Sequence, residues 1–310
     1  MNEYFLGVDL GGTFTKMGVV SAAGEVLSKT KFPTEMSLNA ILTQVQQYID
    51  QVQAEEQIVI KGIGISLPGV MKADGTMQTA GAIKSLIGFN VRKHAAEFFQ
   101  LPVAAITDSK AAALAESWHG NGKAFDNFVC LTLGSAVGGA IVINRQLYWG
   151  LGGLAGEFGV ALMDRKDPAY KLDSTSLHAG VVGGLCRKYS LAAGQKVMEA
   201  EKIFAMAEEG QPLAQKYVSE FFDDVARLVV NVSVSLAPEA VLIGGGISEN
   251  KQIMACIESV YKQVIQDYSV LSRVQMPKLL PCFYGNDAGI IGAVKQVIDT
   301  EMNEHKVNTD

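Results

Sequence analysis

Asp9-Leu10-Gly11-Gly12-Thr13-Phe14-Thr15-Lys16 is the stretch on which the reading of this chain turns. A short apolar run, Tyr4 to Leu10, precedes its glycines and a second, Met17 to Ala22, follows them, so the stretch is a turn between two strands. Two glycines with hydroxyl side chains let consecutive N–H groups point at one spot, which makes an anion-binding nest. Asp9, at the strand end, is placed to hold Mg²⁺ through water, because that ion prefers oxygen ligands and keeps much of its hydration. The same residues also suit a tight hairpin turn that needs positive φ. On this motif alone the two readings weigh evenly.

Outward from the turn, Ala23-Gly24 sends the chain into a third strand, Glu25 to Phe32, which completes a β-meander. Leu38, Ile41, Leu42, Val45, Tyr48, Ile49 and Val52 recur at helical spacing. Ile58 to Leu67 is β-rich and stops at Pro68-Gly69. A helix over Val91 to Phe99, a strand over Val103 to Thr107 and an alanine-rich helix over Asp108 to Trp118 follow, the last capped by Thr107 or Asp108. A second region repeats the plan. Phe128 to Leu133 and Gly139 to Ile143 flank Gly134-Ser135-Ala136-Val137-Gly138, Leu147 to Trp149 adds a strand, and a glycine-rich loop runs from Gly150 to Gly159. Helices are expected over Ser174 to Tyr189, Gly194 to Glu208 and Leu213 to Leu236. Strand Ala240 to Ile243 runs into Gly244-Gly245-Gly246. A helix over Asn250 to Asp267, a strand over Leu279 to Phe283 and a helix over Asp287 to Met302 close the chain.

Composition bounds the function. The 310 residues are 48% hydrophobic and 19% charged, with net charge −6, so no basic excess exists to hold a nucleic-acid backbone or an anionic membrane. Four cysteines and four histidines are scattered without C-x-x-C or H-E-x-x-H, which fits a reducing compartment and gives no transition-metal motif. The start has Glu3 and Asp9 where a signal peptide would be basic and then apolar, so a cytoplasmic protein is expected. The 32 glycines suggest backbone approaching a ligand or many tight turns.

Three glycine turns, each weak alone, are informative in order: an acidic strand end with Gly-Gly-Thr, then Gly134-Ser135-x-x-Gly138-Gly139, then a strand ending in Gly244-Gly245-Gly246. This order resembles the sugar kinases of the actin and heat-shock-chaperone ATPase superfamily, and within it the ROK family (repressor, open reading frame, kinase). Gly64-Ile65-Ser66-Leu67-Pro68-Gly69-Val70, Thr107-Asp108-Ser109-Lys110-Ala111-Ala112-Ala113-Leu114-Ala115-Glu116 and Gly156-Glu157-Phe158-Gly159 extend the likeness over nearly the whole chain. It implies an α/β, two-domain actin-like ATPase (ribonuclease H-like) fold, with ATP and sugar meeting in a central cleft. The expected division is residues 1–118 plus about 290–310, and residues 119–289.

By the resemblance, Asp108 is the catalytic base. A sugar hydroxyl has a high pKa, so a carboxylate must align it and accept its proton as the O–P bond forms; the helix N-terminus is expected to keep that carboxyl ionised and its pKa low. Glu157 matches a sugar-hydroxyl ligand, and Ser66, Gly69, Ser85, Asn90 and Thr107 fall where the family lines its sugar pocket. The nucleotide set is Asp9 (Mg²⁺ through water), Gly11, Gly12, Thr13, Thr15, Lys16, Gly134, Ser135, Gly138, Gly244, Gly245 and Gly246. A homodimer is implied because the family is often dimeric.

Departures from the family shape the substrate expectation. Thr107 replaces an asparagine, Val160 replaces a histidine, and the cysteine-rich zinc stretch is replaced by MDRKDPAYKLDSTSLHAG, so no zinc is expected. The usual histidine contacts hydroxyls near the anomeric carbon; its loss favours a β-glucoside slightly over N-acetylmannosamine, glucose or fructose. Ser135-Ala136 stands where Thr-Gly is usual, and the Ala136 Cβ would crowd a phosphate if that residue took positive φ. The leading function is therefore an ATP-dependent hexose or hexoside kinase acting at C6. A catalytically idle sugar-binding protein is the alternative. A repressor needs an N-terminal helix-turn-helix, for which a first strand starting by Tyr4 leaves no room. A nicotinamide enzyme rests only on Gly150-x-Gly152-x-x-Ala155, which lacks a βαβ setting.

Overall fold

The computed structural model describes residues 3–165 and 167–307. In chain order the elements are β1 (Tyr4–Leu10), β2 (Phe14–Ser21), β3 (Val26–Pro33), α1 (Leu38–Glu56), β4 (Ile60–Leu67), α2 (Val91–Phe99), β5 (Val103–Thr107) and α3 (Asp108–Trp118). Then come β6 (Phe128–Leu133), β7 (Val137–Ile143), β8 (Gln146–Leu147), α4 (Ser176–Ala179), α5 (Arg187–Ala193), α6 (Ala200–Glu208), α7 (Pro212–Leu236), β9 (Ala240–Gly244), α8 (Lys251–Asp267), β10 (Lys278–Pro281) and α9 (Ala288–Val307).

The first sheet has the order β3-β2-β1-β4-β5, with β1, β2 and β3 antiparallel and β1, β4 and β5 parallel. The second, β10-β9-β6-β7-β8, repeats that order when read from its other edge: hairpin strands on one side, parallel strands β6, β9 and β10 on the other. The chain divides into two compact units. One holds Met1–Ala124, Gln146–Ala155 and Asn286–Asp310; the other holds Phe125–Arg145 and Gly156–Gly285.

In the first unit the apolar stripe of α1 (Leu38, Ile41, Leu42, Val45, Tyr48, Ile49, Val52) covers one sheet face. Ser37 caps the helix by accepting the Ala40 N–H at 3.3 Å. Helix α9 covers the other face, through Ile290, Val294 and Val297 against Phe5, Val20 and Ala104. It lies close because glycines face it: a Cβ on Gly64 would fall 1.9 Å from the Ala293 carbonyl oxygen.

Two helical expectations need correction. Ser174 to Tyr189 is not one helix: α4 ends at Ala179, a π-helical turn spans Val181–Cys186, and α5 begins at Arg187. Gly180, Gly183 and Gly184 cause the break, since they bring backbone against backbone; a Cβ on Gly184 would meet the His178 carbonyl oxygen at 2.1 Å. Residues 194–199 are not helical either, because Gly194 takes φ +67° and ends α5. Among the described residues no helix is long and apolar enough to cross a membrane.

Candidate active site

Parallel pairing sets the site of the first unit. Asp9 on β1 is level with Ser66 on β4, and Leu67 with Thr107 on β5, so the carboxyl ends of three adjacent strands present Asp9, Ser66 and the Thr107–Asp108 junction side by side. Carboxyl ends of parallel strands are where open α/β sheets bind ligands.

Each side chain there has a defined partner. The Ser66 hydroxyl is fully buried and donates to Asp9 Oδ1 at 2.9 Å, so in this structure it is spent on orienting Asp9. Lys16 Nζ lies 3.7 Å from Asp9 Oδ2 and donates to the Asn286 carbonyl at 3.3 Å. Burial pushes the Asp9 carboxyl above the ordinary carboxylate range, while Lys16 and the Ser66 bond pull it down. Asp108 opens α3; its Oδ1 accepts the Ser109 N–H at 2.6 Å and the Ser109 hydroxyl at 3.1 Å. The expectation of a low pKa fails here. Dense surrounding protein and the charge of Asp9 raise the Asp108 carboxyl, and these outweigh the Ser109 bonds and Lys110. The Asp108 residue still presents surface to solvent, so water screens part of that penalty.

Thr107 caps α3 by position but not by side chain. Among the described residues its Oγ1 and Gln44 Oε1 are the buried side-chain polar atoms without a hydrogen-bond partner. An orphaned hydroxyl beside Asp108 is costly, and a water or substrate hydroxyl would satisfy it.

The turn Gly11–Thr13 offers backbone donors. Gly11 N–H donates to the Phe14 carbonyl at 3.0 Å, while the N–H groups of Gly12 and Thr13 meet no acceptor among the described residues. Neither Gly11 nor Gly12 takes positive φ. Gly11 is required by space instead, since a Cβ there would lie 2.8 Å from the Phe14 carbonyl oxygen. Thr15 is fully buried with its hydroxyl 3.2 Å from that of Thr34, so it braces the turn from within. Gly69, at φ +115°, packs its Cα against the Thr79 carbonyl. Ser85 donates to the Met36 carbonyl at 2.5 Å, and Asn90 caps α2 and donates to the Asp74 carbonyl. These two side chains are committed to holding local structure.

A residue not anticipated from sequence is Gly289, in the first turn of α9. A Cβ there would lie 2.4 Å from Asp9 Cγ, so only glycine lets the Asp9 carboxylate rest against that helix start. Its sequence signal was a glycine two residues after Asp287. Gly289→Ala is expected to displace the carboxylate and lower turnover about 10²-fold while the far-ultraviolet circular dichroism stays unchanged; unaltered turnover would remove Asp9 from the site.

In the second unit the middle and last glycine turns meet. Gly134, Ser135 and Gly246 line one cavity of about 220 Å³ with Val181, Val182, Glu201 and Phe204. Gly245, at φ +89°, sits where a Cβ would strike the Leu133 carbonyl oxygen at 2.2 Å, which holds the two turns together. Gly138 lies in β7 opposite Thr132, and Gly244 ends β9, also opposite Thr132. Ala136 does not take positive φ, so its Cβ imposes no strain on the turn. The wall residues from α6 and α8 were not anticipated; in sequence they read as ordinary helix-face positions. Glu157 is held by its neighbours: a Cβ on Gly156 (φ +86°) would lie 2.8 Å from Ala140 Cα, and one on Gly159 would lie 1.9 Å from the Val137 carbonyl oxygen. Among the described residues no group of three or more His, Cys, Asp or Glu is arranged to hold a metal ion.

Both glycine-turn sets sit on the same strand order, and residues 5–300 match the profile of the ROK family. The chain belongs to the ROK family. A β-glucoside kinase from Listeria monocytogenes is 29% identical over 306 residues, covering 96% of this ROK chain and 98% of the relative. A glucokinase from Halalkalibacterium halodurans is 27% identical over 328 residues, covering 99% and 98%. Among solved structures, a ROK family protein from Streptococcus pneumoniae in complex with sucrose matches with a TM-score of 0.85 at 26% identity, covering 97% of this chain and 99% of that one. The fold is accordingly the actin-like ATPase fold of the ROK sugar kinases.

Proposed function

We propose that this chain is an ATP-dependent carbohydrate kinase that phosphorylates a hexose or hexoside at C6. The observation that carries the reading is the juxtaposition of Asp9, Ser66 and Asp108 at adjacent strand ends, with a strand-end glycine turn on each unit ready to receive phosphates.

Asp108 acts as the base. The sugar hydroxyl donates a hydrogen bond to its carboxylate; as the hydroxyl oxygen bonds to the γ-phosphorus, the bond to ADP breaks and the proton passes to Asp108. The upward-shifted carboxyl suits the task, because a base with pKa nearer the working pH accepts a proton more readily. The unengaged N–H groups of Gly12 and Thr13 supply donors for phosphate oxygens. The cavity at Gly134, Ser135 and Gly246 takes the adenosine, its apolar wall from Val181, Val182 and Phe204 facing the base. Asp9 fits a hard cation: it is a carboxylate oriented by Ser66, and a nearby cation would offset the burial that disfavours its charge. Mg²⁺ held there through water would neutralise phosphate charge. Glu157 and the Thr107 hydroxyl are assigned to sugar hydroxyls, and Ser66 to positioning Asp9.

Val160 supports a β-glucoside. It stands where the family has histidine and is 62% exposed, so an apolar surface replaces a polar contact near the anomeric carbon. The likeness to a β-glucoside kinase points the same way. The test is ADP release with Mg-ATP against a β-glucoside, glucose, fructose and N-acetylmannosamine, with the phosphorylated carbon located by NMR. The β-glucoside is expected to give the highest kcat/KM. Sugar binding by calorimetry with no ADP formed from any sugar would overturn the kinase reading in favour of a binding protein.

A further inference from the structure

Among the described residues, Lys110 is the largest side chain wholly withdrawn from water. A buried ammonium is costly unless it is held by acceptors, and this one is held. Nζ donates to the Gly153 carbonyl at 3.1 Å and lies 5.7 Å from the centre of the Trp149 ring. Two residues apart on α3, Asp108 and Lys110 leave the helix about 200° around from each other. Lys110 therefore points away from the reacting hydroxyl and grips the Gly150–Ala155 loop behind the helix. That loop is itself constrained. Gly153 takes φ +81° with its Cα against the Met71 carbonyl, and Gln78 Nε2 donates to the Gly152 carbonyl at 2.6 Å.

We propose that Lys110 is a positioning residue for phosphoryl transfer: its buried ammonium clamps the first turn of α3 to the Gly150–Ala155 loop and fixes a positive charge behind Asp108. The inference rests on the reading of Asp108 as base. The charged groups acting on Asp108 are Asp9 from β1, which pushes its carboxyl up, and Lys110 from α3, which draws it down; Lys16 faces Asp9. Without the ammonium the base stays protonated to higher pH, so the acid side of the activity profile moves upward.

The experiment compares wild type, Lys110→Gln, Lys110→Arg and Asp108→Asn with Mg-ATP and the best sugar from the panel, across roughly pH 5 to 9. Glutamine can still donate to Gly153 but carries no charge. Lys110→Gln is expected to lose about tenfold in kcat at mildly acidic pH with KM for ATP nearly unchanged, and its acid limb to move to higher pH. Lys110→Arg is expected to restore the limb. A Gln variant with wild-type kcat and acid limb overturns the proposal; where the Gln variant fails to fold, an Arg variant whose acid limb departs from wild type overturns it, since the charge is then kept without its effect. If Asp108→Asn turns over normally the base reading itself falls; if it is inactive while Lys110→Gln is unaffected, only the role of Lys110 falls.

Discussion

Asp108→Asn will lower kcat by about 10²- to 10⁴-fold, the range that a positioned general base contributes, and will leave the protein at least as stable as wild type near neutral pH. The first half follows from position. The carboxylate at the start of α3 is held by the Ser109 N–H and hydroxyl, and an amide in its place cannot accept the hydroxyl proton. The second half follows from linkage. The folded-state pKa of Asp108 is raised, so ionisation is disfavoured in the folded chain, and at pH above that raised value the charge costs stability. The cost fades as pH falls toward the ordinary carboxylate value, because the folded state then takes up its proton first. Asparagine removes the charge and the cost together. Wild-type activity should correspondingly fall as pH drops through the raised value, with an acid limb above that of an unperturbed carboxylate. The measurements are kcat against pH and thermal melting at acid and neutral pH. A variant that turns over normally would remove Asp108 from its role, and one that melts markedly lower at neutral pH would remove the raised pKa.

Much of this could be read locally. The β-meander follows from apolar runs broken by glycine, and the strand Val103–Thr107 from a short apolar run, signals that need only a few residues. What was not legible was set by distant partners. The resemblance puts Ser66 at the sugar; the parallel register of β1 and β4 also places Asp9 at its hydroxyl, and sequence periodicity carries no register. Ser85 and Asn90 have short polar side chains in a loop region, yet the Met36 and Asp74 carbonyls occupy them. The Ser174–Tyr189 stretch keeps a helical apolar spacing, but its three glycines admit neighbouring backbone and interrupt the hydrogen-bond ladder. The low pKa expected at Asp108 considered the helix end alone and omitted the surrounding protein and Asp9.

Gly292→Ala should destabilise the first unit by about 3 kcal/mol or more, a large overpacking cost because backbone and not a side chain must give way. An added Cβ would stand 1.8 Å from the Ala111 carbonyl oxygen, 2.4 Å from its carbon and 2.7 Å from its Cα. No rotamer relieves that, so α9 must part from α3. The parting reaches the chemistry, since α3 begins with Asp108 while the first turn of α9 carries Gly289 against Asp9. The separation of these two helices thus sets where the two carboxylates lie. The expected fall in melting temperature is about 10 °C at 2–4 °C per kcal/mol for a unit of this size, with turnover reduced even well below the transition. Gly134→Ala is the control for stability: it lacks positive φ, and a Cβ there meets nothing within 4 Å, so its melting point should match wild type. A Gly292→Ala protein melting within about 2 °C of wild type would show that α9 does not rest on α3 through bare backbone, and would detach the placement of Asp9 from the packing described here.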